Sequence, residues 1–385
     1  MLNHIKLKNR PDRVGLDIGS HSIKGVEIIE KGSEMAIRSA GFVSSARLKK
    51  SVMQQDSNAI AHSIKSLWAK AGFETKKVIM ALPSDAVTTK WLYLEANDEE
   101  ELGQTARAVA LRSISFNPND AIADFRVLKS RGSLGRNIYF VLAVAASGSA
   151  IEKLLYSAEL AGLEPEAVDI ASVALIRSFA NNSKGTSKLW GGQPHAHCVI
   201  GSQSTMITVI RENELEFVRD VPVGGDDFTN AIMEHTGLLW QEAEELKHSP
   251  ATRLTENGSL ITSYNGKEIT IPCESVTGRM VREIQRSLKY FRSQFAEGSY
   301  LGMIGSTSLS GGGALIRGIE SALRYQGLEI NGIINPFLGF SVTAGSSGIE
   351  QVASCSAAFT TAVGLAMGDY WNNTVLSVNR TEATA

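Results

Sequence analysis

Short runs of alternating apolar and polar residues open the chain. Val14, Leu16 and Ile18 alternate with Gly15, Asp17 and Gly19; after a Gly/Ser turn, Lys24, Val26 and Ile28 alternate with Gly25, Glu27 and Ile29. A period of two predicts a hairpin over 13–29. Ile60, Ile64, Leu67 and Trp68 recur at helical spacing within 58–71, ahead of a strand at Val78–Leu82 that ends in Pro83 and another at Val87–Leu94. Asn97 is placed to cap the next helix, with Asp98–Glu101 in its first turn and Glu100 positioned for a capping box. Acids are favoured at a helix N-terminus, which explains that run more simply than a partner site does.

Farther along, the pattern predicts strand Ile138–Ala146, helix Ser149–Ala161, strand Glu166–Ile170 and helix Ser172–Phe179. The polar, Gly-containing stretch Asn181–His197 reads as a linker. Strands Cys198–Ile210 and Glu214–Val221 follow, and Val223-Gly224-Gly225-Asp226-Asp227-Phe228 leads into a helix. A helix at about 276–295 carries Met280, Ile284, Leu288, Phe291 and Phe295 on one side and Arg279, Arg282, Arg286, Lys289 and Arg292 on the other. That basic side reads as a solvated face rather than a polyanion site. The final residues are polar, and 376–385 read as a flexible tail. Strands alternating with helices give an α/β chain.

Composition narrows the function. With 38 Lys+Arg against 40 Asp+Glu the net charge is −2, so no global charge favours nucleic acid or an anionic membrane. A length of 385 residues suggests two or three domains. Cys198, Cys273 and Cys355 are too scattered for a disulfide framework and suit a reducing compartment. His195, His197 and Cys198 lie close together, but without a second cluster they read as linker and strand-start residues rather than a metal site. The N-terminus lacks the apolar core of a secretory signal, and the uncharged stretches Ser299–Ile316, Asn331–Ile349 and Gln351–Gly368 are too rich in small polar residues to span a membrane. We therefore expect a soluble, cytoplasmic protein.

Ile18-Gly19-Ser20-His21-Ser22 recurs as Ile200-Gly201-Ser202-Gln203-Ser204, an offset of 182 residues and close to half the chain. Two similarly built halves follow from this, with two ordinary Gly/Ser hairpin turns as the simpler alternative. Such turns aim backbone N–H groups and hydroxyls into one concavity, which suits an anion. Gly311-Gly312-Gly313, between Leu309 and Ala314, and Gly224-Gly225-Asp226 are further glycine turns at strand ends. Three successive glycines predict a bare surface for a purine or ribose.

In this order and spacing the segments resemble the actin-like ATPase superfamily, which includes actin, heat-shock 70 chaperones, FtsA, MreB and sugar kinases. Asp17-Ile18-Gly19-Ser20 with Lys24 resembles its first phosphate motif, Gly201-Ser202-Gln203-Ser204 the second, and Leu309–Ala314 the adenosine motif. Gly224-Gly225-Asp226-Asp227-Phe228 is similar to the connecting segment, and Ala243-Glu244 with Lys247 to the ribose-side helix. Over roughly 12–370 the chain resembles the PilM family of type IV pilus assembly proteins and the related MshI-type proteins, with Val78–Pro83, the helix start at Asp98 and Ala161-Gly162-Leu163 before Val168-Asp169 in agreement.

The resemblance implies two related ribonuclease-H-like halves around a nucleotide cleft, with an FtsA/PilM-type inserted subdomain. The first half would occupy 12–77, 169–194 and about 355–375; the insertion 78–168; the second half 195–235 and 300–354, with a smaller subdomain at 236–299. ATP would lie against Asp17, Gly19, Ser20, His21, Ser22, Lys24, Gly201, Ser202, Gln203, Ser204, Gly224, Gly225, Asp226, Glu244, Lys247, Gly311, Gly312 and Gly313. Asp17 would hold Mg²⁺ through water, and Asp169 is the nearest candidate for a catalytic acid. The implied role is a nucleotide-binding adaptor on the cytoplasmic face of the inner membrane, attached through the N-terminal tail of a PilN-like membrane protein and other pilus assembly components, with self-association possible in the superfamily.

One departure stands out. The second phosphate motif of the family carries an aspartate where this chain has Val199. Valine offers no ligand, so Mg²⁺ positioning and water activation should suffer while amide-based binding survives. Two alternatives remain: an FtsA-like division ATPase, which should end in an amphipathic helix that Asp369–Ala385 does not resemble, and a sugar-kinase-type phosphotransferase, which needs a catalytic aspartate.

Overall fold

The computed structural model describes residues 12–31, 34–44, 56–133, 136–182, 193–211, 214–295, 299 and 302–368. The expected tail at 376–385 and most of the expected linker lie outside these residues. β1 (Arg13–Ile18), β2 (Ser22–Lys31) and β3 (Glu34–Ser44) form an antiparallel meander, and α1 (Ser57–Ala71) returns the chain to β4 (Lys77–Leu82), parallel to β1. Asp56 caps α1 and Gly72 ends it in a left-handed turn, while Ile60, Ile64 and Leu67 are buried in the core beneath the sheet.

β5 (Val87–Ala96), α2 (Glu99–Leu111), β6 (Ala121–Ser133) and β7 (Arg136–Ser147) follow. The three strands form a separate antiparallel sheet in the order β5-β7-β6, with α2 on the face that carries Val141, Ala143 and Ala145. The cap of α2 is Asp98, not Asn97; its carboxylate accepts from Glu101 N at 2.8 Å, while Glu101 reaches back to Asn97 N at 2.8 Å. The cap is therefore one residue later than expected, and Glu101 takes the N–H of the residue before the cap instead of closing a capping box at Glu100.

α3 (Gly148–Leu160) leads to β8 (Glu164–Ile170), parallel to β4, and α4 (Ala171–Asn182) closes the first half. Because β4 and β8 both belong to the six-stranded sheet, the separate sheet spans 87–147 rather than the expected 78–168. β9 (His195–Ile200), β10 (Thr205–Arg211) and β11 (Glu214–Val221) repeat the meander; His195 and His197 belong to β9, not to a linker. Next come α5 (Gly225–Thr236), α6 (Trp240–His248), the small sheet β12 (Arg253–Leu254), β13 (Leu260–Tyr264) and β14 (Lys267–Ile271), and α7 (Glu274–Arg292). α7 buries Met280, Ile284 and Phe291, as its stripe predicted, and its basic side pairs Arg279 with Asp227 and Arg286 with Glu283.

β15 (Ser306–Ser310), α8 (Ile319–Tyr325) and β16 (Gly332–Ile333) complete the second sheet. β17 (Ser341–Ser347), α9 (Ile349–Ala353) and α10 (Thr360–Ala366) return to the first half. β17 pairs with β3, so the expected second-half segment 300–354 ends before it. The sheet orders are β17-β3-β2-β1-β4-β8 and β11-β10-β9-β15-β16. Leaving β17 aside, each is an antiparallel meander followed by two parallel strands. The halves are built alike. No helix among the described residues is long and apolar enough to cross a membrane.

Candidate nucleotide cleft

Each meander begins with the same turn. Gly19 N donates to Ser22 O at 3.1 Å, and Gly201 N donates to Ser204 O at 2.8 Å. The five-residue repeat is therefore a repeat of backbone geometry. The two turns face each other closely enough for the Ser20 and Ser202 hydroxyls to hydrogen-bond at 2.9 Å. Between and below them opens a cavity of about 660 Å³, within the size range of small-molecule sites. Asp17, Gly19, Ser20, His21, Ser22 and Lys24 line it from the first half; Gly201, Ser202, Gln203, Ser204, Gly225, Glu244, Lys247 and Gly311–Gly313 line it from the second.

Gly224 and Asp226 are not among the lining residues. They support the second turn from behind: Gly225 N donates to Gly201 O at 2.9 Å and Asp226 N to Ser202 O at 2.8 Å. A Cβ on Gly224 would lie 2.5 Å from Ser202 O, so only glycine allows this approach. Burial raises the Asp226 carboxyl, partly countered by the Lys247 charge.

Glu244 and Lys247 form a buried pair at 2.7 Å rather than a surface ion pair. Lys247 also donates to Thr229 Oγ1 at 2.7 Å and to Gly225 O at 3.1 Å, which ties α6 to the start of α5. Burial would raise Glu244, but hydrogen bonds from His21 and His248 and the Lys247 charge outweigh it and hold the carboxyl well below the usual range. His21 comes from the first turn and contacts Glu244 at 3.1 Å. It is the second contact across the mouth of the cleft.

The glycine triplet works differently from expectation. Gly311 has φ 89°, and a Cβ there would lie 2.4 Å from Ile200 O; a Cβ on Gly313 would meet Ile200 Cγ2 at 2.3 Å. Those two glycines allow the loop to press against the end of β9. Only Gly312 faces open space. All three glycines line the cavity, and Gly311 and Gly313 also serve that close packing.

Asp169 does not line the cavity. Its side chain is buried in an ion pair with Arg177, which also donates to Gly364 O at 2.8 Å, and it accepts from Ile170 N at 2.7 Å. That carboxylate is committed to holding β8, α4 and α10 together, which corrects its assignment as a catalytic acid. His195 and His197 are likewise structural. Their ring nitrogens alternate with the hydroxyls of Ser306, Ser308 and Ser310 along β15, and burial lowers them to about 4 and about 3.

Sequence reasoning missed Ser84, Asp85, Asp220 and the lining segment 355–361. Asp220 lines the cavity, and the protein packed around it pushes its carboxyl up to about 6. Nothing in its local sequence marks it, because β11 carries it to the cavity by pairing Asp220 with Met206.

The residues suit a polyphosphate: two opposed turns, hydroxyls, and the Lys24 ammonium 3.3 Å from Asp17. They do not suit a divalent cation held between the halves. Position 199 presents valine beside Met206 and Ser310, and no group of three or more His, Cys, Asp or Glu among the described residues could hold a metal.

A family model described as type IV pilus assembly protein PilM matches residues 15–370. The solved PilM-PilN type IV pilus biogenesis complex contains a chain similar to this one at TM-score 0.74 and 26% identity, covering 93% of this chain and 98% of that one. Cell division protein FtsA of Streptococcus pneumoniae serotype 2 is 25% identical over 362 residues, 84% of this chain and 77% of its own length. The fold is thus an α/β fold related to the actin-like ATPase superfamily.

Proposed function

The chain belongs to the family of type IV pilus assembly protein PilM, and from that premise we propose that it is a cytoplasmic nucleotide-binding adaptor of a type IV or MSHA-type pilus assembly platform. It binds the cytoplasmic N-terminal tail of a PilN-like inner-membrane protein and reaches the membrane only through such partners. The observation that carries this reading is the likeness, over 93% of the chain, to the protein solved with PilN.

We place the tail on the face of the three-stranded sheet that α2 does not cover. Tyr93 is 75% exposed there and stacks on Phe140 at 4.7 Å, and Ile138, 43% exposed, lies beside them. An exposed aromatic and aliphatic cluster on a sheet suits an extended apolar peptide. Calorimetry with a synthetic PilN-like tail should show binding, and Tyr93→Ala should weaken it by about tenfold, the loss typical of one aromatic anchor. Absence of binding with and without ATP would overturn the adaptor reading.

In the cleft, ATP takes the two turns at its phosphates and the Glu244–Lys247 corner at its ribose. The chain's own groups orient the nucleotide through amides, hydroxyls and Lys24. Without a carboxylate at 199, and with Asp169 bound to Arg177, we expect hydrolysis to be slow or absent. Turnover of several ATP per second, abolished by Asp17→Ala, would contradict this. The match to Cell division protein FtsA favours one other reading, a division ATPase; binding or absence of binding of the PilN-like tail separates the two.

A further inference from the structure

The two meanders can be compared position by position, because they share sequence, turn hydrogen bond and register. In the first, Asp17 lies opposite Lys24, and Lys24 opposite Phe42. In the second, Val199 lies opposite Met206, and Met206 opposite Asp220. The offset that carries Asp17 to Val199 also carries Lys24 to Met206. At these two positions the first half carries an acid and a base, and the second half carries neither.

We infer that this cleft binds a nucleoside triphosphate without a divalent cation, the Lys24 ammonium supplying the positive charge a metal would bring; this rests on reading the cavity as a nucleotide site.

A cation bridging the halves needs oxygen ligands from both sides. At position 199 the second side offers an isopropyl group and a thioether neighbour. On the first side, Asp17 is already paired with Lys24 at 3.3 Å, both side chains largely shielded at 21% and 14% exposure. A dication approaching Asp17 would meet that ammonium, and like charges at such range oppose one another. An anion meets the reverse situation. A Cβ on Gly19 would lie 3.5 Å from Lys24 Nζ, so the ammonium sits directly against the first turn. An ammonium has three N–H donors, and Asp17 takes one. The others are available to phosphate oxygens at the turn. Asp220 does not restore the missing acid: it stands two strands from Val199, roughly 10 Å at about 4.8 Å per strand.

The test is calorimetric titration of the full chain with ATP in excess EDTA and again in excess Mg²⁺. The expected affinities agree within about threefold, well under the tenfold that 1.4 kcal/mol represents. Lys24→Met, which gives the first half the side chain of the second, should weaken ATP by about tenfold or more in both buffers, the scale of a lost charge-assisted contact. Val199→Asp should create a magnesium dependence that the natural protein lacks. A wild-type affinity that falls by about tenfold or more in EDTA overturns the inference, whether or not Asp220→Asn removes that dependence. Absence of ATP binding in both buffers overturns the nucleotide reading itself, so the two failures are distinct.

Discussion

At Asp220 the cavity walls push the carboxyl up to about 6, from an ordinary 3.8. Between those values the folded protein holds more protons than the unfolded chain, so this residue favours folding in acid and disfavours it as pH rises through 6. Asp220→Asn should therefore raise Tm at pH 7 and leave it unchanged near pH 3.8, read by scanning calorimetry. His195 and His197 act in the opposite sense. Burial lowers them from 6.5 to about 4 and about 3, so the unfolded chain takes up protons first, and stability is lost as pH falls below 6.5. Of the single residues, Asp17, Lys24 and Val199 were legible because a motif fixes their place. Asp220 was not, since it lies sixteen residues beyond the second phosphate motif and reaches the cavity only through the pairing of β11 with β10.

The β9–β15 pair holds the most demanding polar arrangement. Ser308 Oγ lies 2.7 Å from His195 Nε2 and 2.6 Å from His197 Nδ1, all buried. Ser308→Ala would leave two buried ring nitrogens short of a partner, with an expected loss of about 3 kcal/mol in chemical denaturation. The strands that patterning revealed include the well-buried apolar runs of β1, β4 and β7. β6 escaped it because most of its apolar residues are only part-buried, Ile122 being 53% exposed, so alternation gave no clean signal. The bounds of the inserted sheet also escaped, because β4 and β8 look like any buried strand until their parallel pairing with β1 and with each other is known.

At the scale of the molecule, the contacts that close the mouth of the cleft among the described residues include two polar ones, Ser20 to Ser202 and His21 to Glu244, beside ring contacts of His21 with Trp240 and His248. Both join the first turn to the second half. Loss of the second, in His21→Ala, should loosen the closed arrangement and speed amide exchange at 201–204 and along α6, with ATP restoring protection. If exchange there is unchanged, the contact does not hold the halves together.

The sequence alone pointed to two like halves, because four of the five residues of a turn recur at an offset of 182 residues. It also determined which turns carry glycine and that position 199 lacks an acid. The tertiary structure decided what those features do. Only packing could show that Gly311 and Gly313 serve the approach to Ile200, that Asp169 belongs to Arg177, and that Asp220 enters the cavity. Motifs are local and survive in one dimension. Which carboxylate is buried against which partner, and which strand carries a side chain to the cavity, depends on packing, and no local pattern records that.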